Sequence, residues 1–174
     1  FISSMLCEGL SISFTSPDTP RNIKVSCRIG LSHSRPSVVA HRKAVNEIMR
    51  TINVPTAKIS LSEYFSELRN SQIGFGPFGV GEITLRDFEI VICGAALLKP
   101  EMAHMETWPE LFQPGKTFVA HKWDLSDLKE KLEELIGNPD LRIRVATEAQ
   151  KTYKEAVSAE GLANFADRLI GIMK

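Results

Sequence analysis

Glu89 is a carboxylate where the helical spacing calls for an apolar residue. It follows Leu85 by four residues and precedes Ile92 by three, so it falls on or beside an apolar face of Leu85, Phe88 and Ile92. Charge at such a place must be paired or hydrogen-bonded, because stranding it away from water is costly. Two readings fit: an ion pair with Arg86 one turn earlier, or a carboxylate that accepts two hydroxyls from a ligand seated above the preceding loop. That loop carries glycines at 74, 76, 79 and 81, then Glu82, and leads into Arg86 on the first helical turn. Unpaired N–H groups and the helix dipole at such a start favour an anion. A second turn of the same kind runs Gly30-Leu31-Ser32-His33-Ser34-Arg35-Pro36, where Ser34 and Arg35 crowd another helix N-terminus. A guanidinium there can hold phosphate oxygens in a bidentate way. His104 and Glu106 come just past a strand end, where active-site groups gather. The plainer reading makes His104 an exposed loop residue and Met102, Met105 and Trp108 core. No other carboxylate pair, nucleophile–base arrangement or metal cluster has a convincing spacing.

The elements that must position these residues alternate in type. Ser71 to Pro100 reads as a strand (Ile73 to Phe75), the glycine loop, a helix and a second strand (Ala95 to Leu98), a βαβ unit. Thr84 and Asp87 have capping-box spacing, and Gly94 suits the left-handed residue that ends a helix. Upstream, Asn22 to Ile29 is β-prone, and Pro36 is placed as the first residue of a helix that buries Val38, Val39, Val45, Ile48 and Met49. Thr56 to Ile59 reads as a short strand, and Leu61 to Asn70 as a helix with Leu61, Tyr64, Phe65 and Leu68 inward. Downstream come a strand over Lys116 to His121 and a helix over Asp124 to Ile136 on Leu125, Leu128, Leu132 and Leu135. A helix over Leu141 to Val157 turns Val145, Ala149 and Tyr153 inward. Gly161 breaks it before a last helix with Leu162, Phe165, Leu169 and Ile172 on one side. This alternation predicts an α/β, three-layer, Rossmann-like domain with a mostly parallel sheet over residues 22–174, preceded by a linker or the tail of another domain over 1–21. In such a sheet the two phosphate-friendly turns converge on one crevice at the carboxyl ends of the strands.

Composition narrows the class. The 174 residues suffice for one domain with a real core, at 43% apolar and 24% charged content. Net charge is zero, which argues against a general nucleic-acid binder. The balance is uneven, however: Arg21 to Arg50 holds seven basic residues against Glu47 alone, and Glu101 to Asp140 holds nine acids against four lysines. The basic third points to an anionic partner such as a nucleotide diphosphate, or else the two segments attract each other or face water. Cys7, Cys27 and Cys93 have no metal spacing and read as buried thiols of a reducing, cytoplasmic compartment. No stretch approaches the ~20 apolar residues of a membrane span. A chain that begins with Phe reads as a piece of a longer protein.

The segments GEITLRDFE, CGAALLKPEMAHMETWPELF and PGKTFVAHKWDLSDLKEKLEELIGNP together resemble the C-terminal, donor-binding half of a GT-B glycosyltransferase. The resemblance is to the bacterial polysaccharide-biosynthesis and spore-maturation-type group, and it covers roughly Asn22 to Lys174. It implies a nucleotide-sugar donor as substrate, no cofactor and no metal. It also implies an acceptor glycan or lipid held by an N-terminal domain that this chain lacks. Retaining relatives carry two glutamates flanking seven residues, the second on the ribose and the first near the sugar. Glu89 matches the second. Glu82 is one residue too close and Gly81 stands in its place, so the sugar role and the stereochemistry stay open. The resemblance further implies that Arg35 and the glycine loop with Gly79 and Gly81 hold the diphosphate, that Arg86 either orients Glu89 or helps neutralise the leaving diphosphate, and that Ser34, Glu82 and His104 belong to the substrate-binding set. The alternatives are a non-catalytic nucleotide- or phosphosugar-binding module and a bare interaction domain whose glycines merely turn the chain.

Overall fold

The computed structural model describes residues 13–173; the first part of the 1–21 segment and Cys7 lie outside them. Among the described residues, four strands form one sheet in the order β1 (Ile23–Ser26), β2 (Ser71–Phe75), β3 (Ala96–Pro100), β4 (Val119–His121). All three pairings are parallel, with Val25 beside Ile73, Gly74 beside Leu97, and Leu98 beside Val119. Six helices accompany them: α1 (Pro36–Thr51), α2 (Leu61–Arg69), α3 (Leu85–Ile92), α4 (Leu128–Gly137), α5 (Pro139–Ala156) and α6 (Ala159–Ile172). None is long and apolar enough to cross a membrane.

Strand alternation divides the core. Val25, Ile73, Phe75, Ala96 and Leu98 point to one face, where Val45 and Met49 of α1 and Leu128, Leu132 and Leu135 of α4 cover them. Leu97 points to the other, under Tyr64 and Leu68 of α2 and Ile90 of α3. Three layers result. Helix α5 joins both sides: Val145 packs in the first core, while Ala149 and Tyr153 reach Val91 and Ile92 at the end of α3. The segment before β1 is tied in as well, since Thr15 N–H donates to the Ile92 carbonyl and the Gln150 amide to the Thr15 carbonyl.

Several local expectations change. Thr56 to Ile59 forms no strand; it meets the residues after β1 through one backbone hydrogen bond, Ile29 N–H to the Thr56 carbonyl, and one from the Arg28 side chain to the Ala57 carbonyl. Its role is to carry the chain past the free edge of β1, from α1 on one face to α2 on the other. Helix α3 buries Asp87, Ile90, Val91 and Ile92, whereas Leu85 is exposed and Phe88 half-buried. It is wedged between the sheet and α5, so its buried face is wider than a single stripe and is rotated from the one the spacing suggests. Leu61, which opens α2, is exposed. Leu125 is buried but adopts φ 64°, so α4 starts only at Leu128. Gly161 does not break a helix; its N–H bonds the Ser158 cap of α6. No residue of α6 is buried. Gly94 has φ 72°, as a helix-ending glycine should. Gly74 is required for another reason, because a Cβ there would lie 2.5 Å from Ile90 Cγ1 and push α3 off the sheet.

Burial silences the described cysteines, pushing the Cys27 thiol up to about 12 and that of Cys93 to about 11. Burial also pulls His121, at the end of β4, down to about 4, opposed more weakly by the Lys122 carbonyl that its Nδ1 donates to. Its ring stacks on Phe75, with centroids 5.6 Å apart. A neutral buried imidazole costs nothing above the unfolded value of 6.5. Below that value the unfolded chain takes up a proton that the folded chain refuses, so stability falls from about pH 6.5 down to about 4 and then levels off. The full loss is ~3 kcal/mol, and His41, also lowered by burial, acts in the same direction. His121→Phe should therefore flatten the fall in urea midpoint between pH 7 and 4.5 relative to wild type; equal slopes would mean that His121 does not drive it.

Candidate functional site

The two loops after β1 and β2 meet at the carboxyl end of the sheet, and one side chain fastens them together. Arg42, on the second turn of α1, donates from Nη1 to the Gly30 carbonyl at 2.8 Å and from Nε to the Phe78 carbonyl at 3.3 Å. Arg35, two turns earlier, reaches across from Nη1 to the Val80 carbonyl at 3.2 Å. The turns thus converge where the chain leaves two adjacent strands for opposite faces of the sheet, α1 on one and α3 on the other. Between them lies a cleft of about 270 Å³ lined by Gly30, Arg42, Pro77, Thr84, Leu85, Arg86 and Glu89.

Glu89 and Arg86 do not pair with each other. Tyr64 donates its hydroxyl to Glu89 Oε2 at 3.0 Å, and Oε1 has no hydrogen-bond partner among the described residues. Burial, and then the charge of Glu89, push the Tyr64 hydroxyl above its usual range, so it remains a proton donor. The Arg86 guanidinium lies over the Tyr64 ring, 5.3 Å from its centroid, and donates to the Arg28 carbonyl. Arg28 is held in turn by Glu67, through Nε at 2.9 and 3.0 Å. Two guanidiniums therefore share one cleft. Burial lowers the Arg42 value first, and the charge of Arg86 lowers it further. Both arginines stay charged, so the cleft is positive with one fixed carboxylate at its side.

The start of α3 is held by Asp87, whose Oδ2 accepts the Thr84 N–H at 2.8 Å. Thr84 Oγ1 is buried without a hydrogen-bond partner, so the carboxylate is the working half of that cap. Asp87 is itself fully buried and stands 3.1 Å from Lys99 Nζ, which also donates to the Glu82 carbonyl. Gly76 has no room for a side chain: a Cβ would lie 2.5 Å from Asp87 Oδ1. None of the loop glycines from 74 to 81 needs a left-handed φ.

The remaining candidates are spread around this cleft. A Cβ on Gly79 would meet Thr84 Cγ2 at 3.1 Å and Arg42 Nη2 at 3.9 Å, so the backbone there lies against the cleft wall. The Gly81 carbonyl accepts the Gly79 N–H at 3.2 Å. Ser34 is exposed. The Glu82 carboxylate faces His104, with Oε1 3.9 Å from Nε2, both partly exposed. His104 lines a different cleft of about 480 Å³ with Glu106, Glu110 and Gln113. Trp123 connects the two regions, its ring 6.0 Å from His104 and 5.4 Å from Phe78.

Sequence reasoning missed Arg42, Tyr64 and Lys99. Arg42 follows Arg35 by seven residues, two helical turns on the same face, which was the available signal. Lys99 interrupts an otherwise apolar strand, and a lysine in a buried parallel strand demands a partner. Tyr64 offered only its hydroxyl among core residues.

No curated protein matches the chain. Residues 53–165, well over half of it and including α2 to α5 with the whole of the glycine loop, match the Glycosyl transferase-like family, and the chain belongs to that family.

Proposed function

We propose that this chain is the donor-binding half of a nucleotide-sugar-dependent glycosyltransferase of polysaccharide or glycoconjugate synthesis. The observation that supports it is the cleft above the ends of β1 and β2, where Arg42 and Arg86 stand together with Glu89. A nucleoside diphosphate placed there meets two guanidiniums at its phosphates and a carboxylate at its ribose hydroxyls. Arg35, on the loop above, adds a third cation. When the glycosidic bond breaks, negative charge grows on the leaving diphosphate, and donors already aimed at it lower the barrier. In this reading the guanidiniums supply the charge that a metal ion would otherwise bring. The cleft falls just short of the ~300–1,000 Å³ of a complete small-molecule site, which suits a half-site whose sugar end faces a second, acceptor-holding domain.

Two measurements test the assignment. UDP, ADP and GDP titrated in the presence of a chelator should include at least one that binds, with an affinity that falls as salt is raised. Arg42→Met should weaken that nucleotide roughly tenfold or more, in line with the ~1.5–3 kcal/mol of a charged hydrogen bond. Strict dependence on magnesium, or indifference to salt and to Arg42, would refute the site.

Glu89→Gln keeps the shape and the Tyr64 contact but removes the charge that strengthens two ribose bonds, so affinity should again fall roughly tenfold. Wild type should also lose affinity for the 2′,3′-dideoxy nucleotide, whereas Glu89→Gln should scarcely distinguish the two ligands. Equal discrimination by both proteins would remove the ribose role from Glu89.

A further inference from the structure

Lys99 is 1% exposed and lies in β3 between Leu98 and Pro100, where an aliphatic side chain would complete the core at less cost. Replacing a buried ion pair by apolar residues is often neutral or stabilising, so stability alone does not account for it. Its contacts suggest another reason. Lys99 Nζ stands 3.1 Å from Asp87 Oδ2 and donates to the Glu82 carbonyl, while the Phe112 ring centroid lies 5.6 Å away. The same Asp87 oxygen accepts the Thr84 N–H at 2.8 Å. One ammonium therefore holds two points of the loop–helix junction: the Glu82 carbonyl directly, and Thr84 through Asp87. The next residues, Leu85 and Arg86, line the cleft, and Glu89 follows one turn on. A carbonyl drawn inward by a buried cation fixes the direction from which the chain enters α3, and so the direction in which Arg86 and Glu89 leave it.

We propose that Lys99 is a positioning residue for the donor cleft: by binding the Glu82 carbonyl and Asp87 together it sets the junction that aims Arg86 and Glu89. The proposal rests on the donor-site reading above, and its test is arranged so that each can fail alone. Lys99→Met by itself strands the Asp87 charge and should lower Tm. Lys99→Met/Asp87→Asn removes both charges, leaves an amide oxygen for the Thr84 N–H, and should recover most of that Tm. Lys99→Gln/Asp87→Asn additionally restores a donor toward the Glu82 carbonyl.

Hydrogen exchange in the absence of ligand reads the junction directly. Amides 80–84 should exchange roughly tenfold faster in the Met/Asn pair than in wild type and return toward wild type in the Gln/Asn pair. UDP affinity, or that of whichever tested nucleoside diphosphate binds wild type, should follow the same order and fall roughly tenfold in the Met/Asn pair. Wild-type exchange at 80–84 in the Met/Asn pair would overturn the proposal, for Lys99 would then only neutralise Asp87. Failure of that pair to fold would overturn it too, because Lys99 would then be a requirement of the fold. If wild type binds none of the nucleotides, the donor-site reading falls, and the exchange arm still decides whether Lys99 positions the junction.

Discussion

The chain leaves β1 onto one face of the sheet and enters β2 from the other, and the site follows from that single crossing. Loops that depart in opposite directions cannot cover each other, so a gap opens above the ends of β1 and β2. Parallel strands place helix starts at this same end, which adds N–H groups and the positive ends of dipoles to the gap. Arg42 spans it, bonded to a carbonyl on either side. Its guanidinium thereby serves the fold, by tying the two loops across the gap, while a second guanidinium from Arg86 stands in the same cleft. Like charges brought together at the edge of a core oppose folding, and an anion between them relieves the repulsion.

Behind the cleft runs a continuous polar chain. Glu67 holds Arg28, the Arg28 carbonyl accepts from Arg86, Arg86 covers the ring of Tyr64, and Tyr64 donates to Glu89. These residues come from β1's extension, α2 and α3, so the orientation of Glu89 depends on the packing of α2 as much as on its own helix. A tyrosine donor satisfies one carboxylate oxygen without neutralising its charge, whereas an ion pair with Arg86 would have spent the charges of both residues on each other.

Much of this was legible in the sequence. Pro36 at the head of α1, Gly94 at the end of α3, the central βαβ unit and the Leu128–Leu132–Leu135 face of α4 stand where composition and spacing put them. The buried face of α3 was hidden because one of its members is Asp87, a residue that a search for apolar periodicity discards. Thr56 to Ile59 has the residues of a strand, yet it meets the residues after β1 through one backbone bond, and a sheet edge is made by pairing rather than by propensity. The convergence of two loops could be anticipated from alternation, and the spacing of Arg42 from Arg35 put the two on one face, but that spacing did not show what Arg42 bonds. Its role comes from the distance between two carbonyls that belong to different loops.

Helix α6 has a different standing from the rest of the domain. It buries no side chain, and it meets the loop after β3 through the stacked rings of Trp108 and Phe165, 4.2 Å apart, and the surface pair of Arg168 with Glu106. An element attached by so little apolar area opens at a small fraction of the global unfolding free energy. The loop from Glu101 to Gly115 is tied to that opening, because its Trp108 is the ring that stacks on Phe165 of α6. Leu162, Leu169 and Ile172 on its apolar side are exposed, so they contribute little to holding the helix in place and the one ring stack carries most of its attachment.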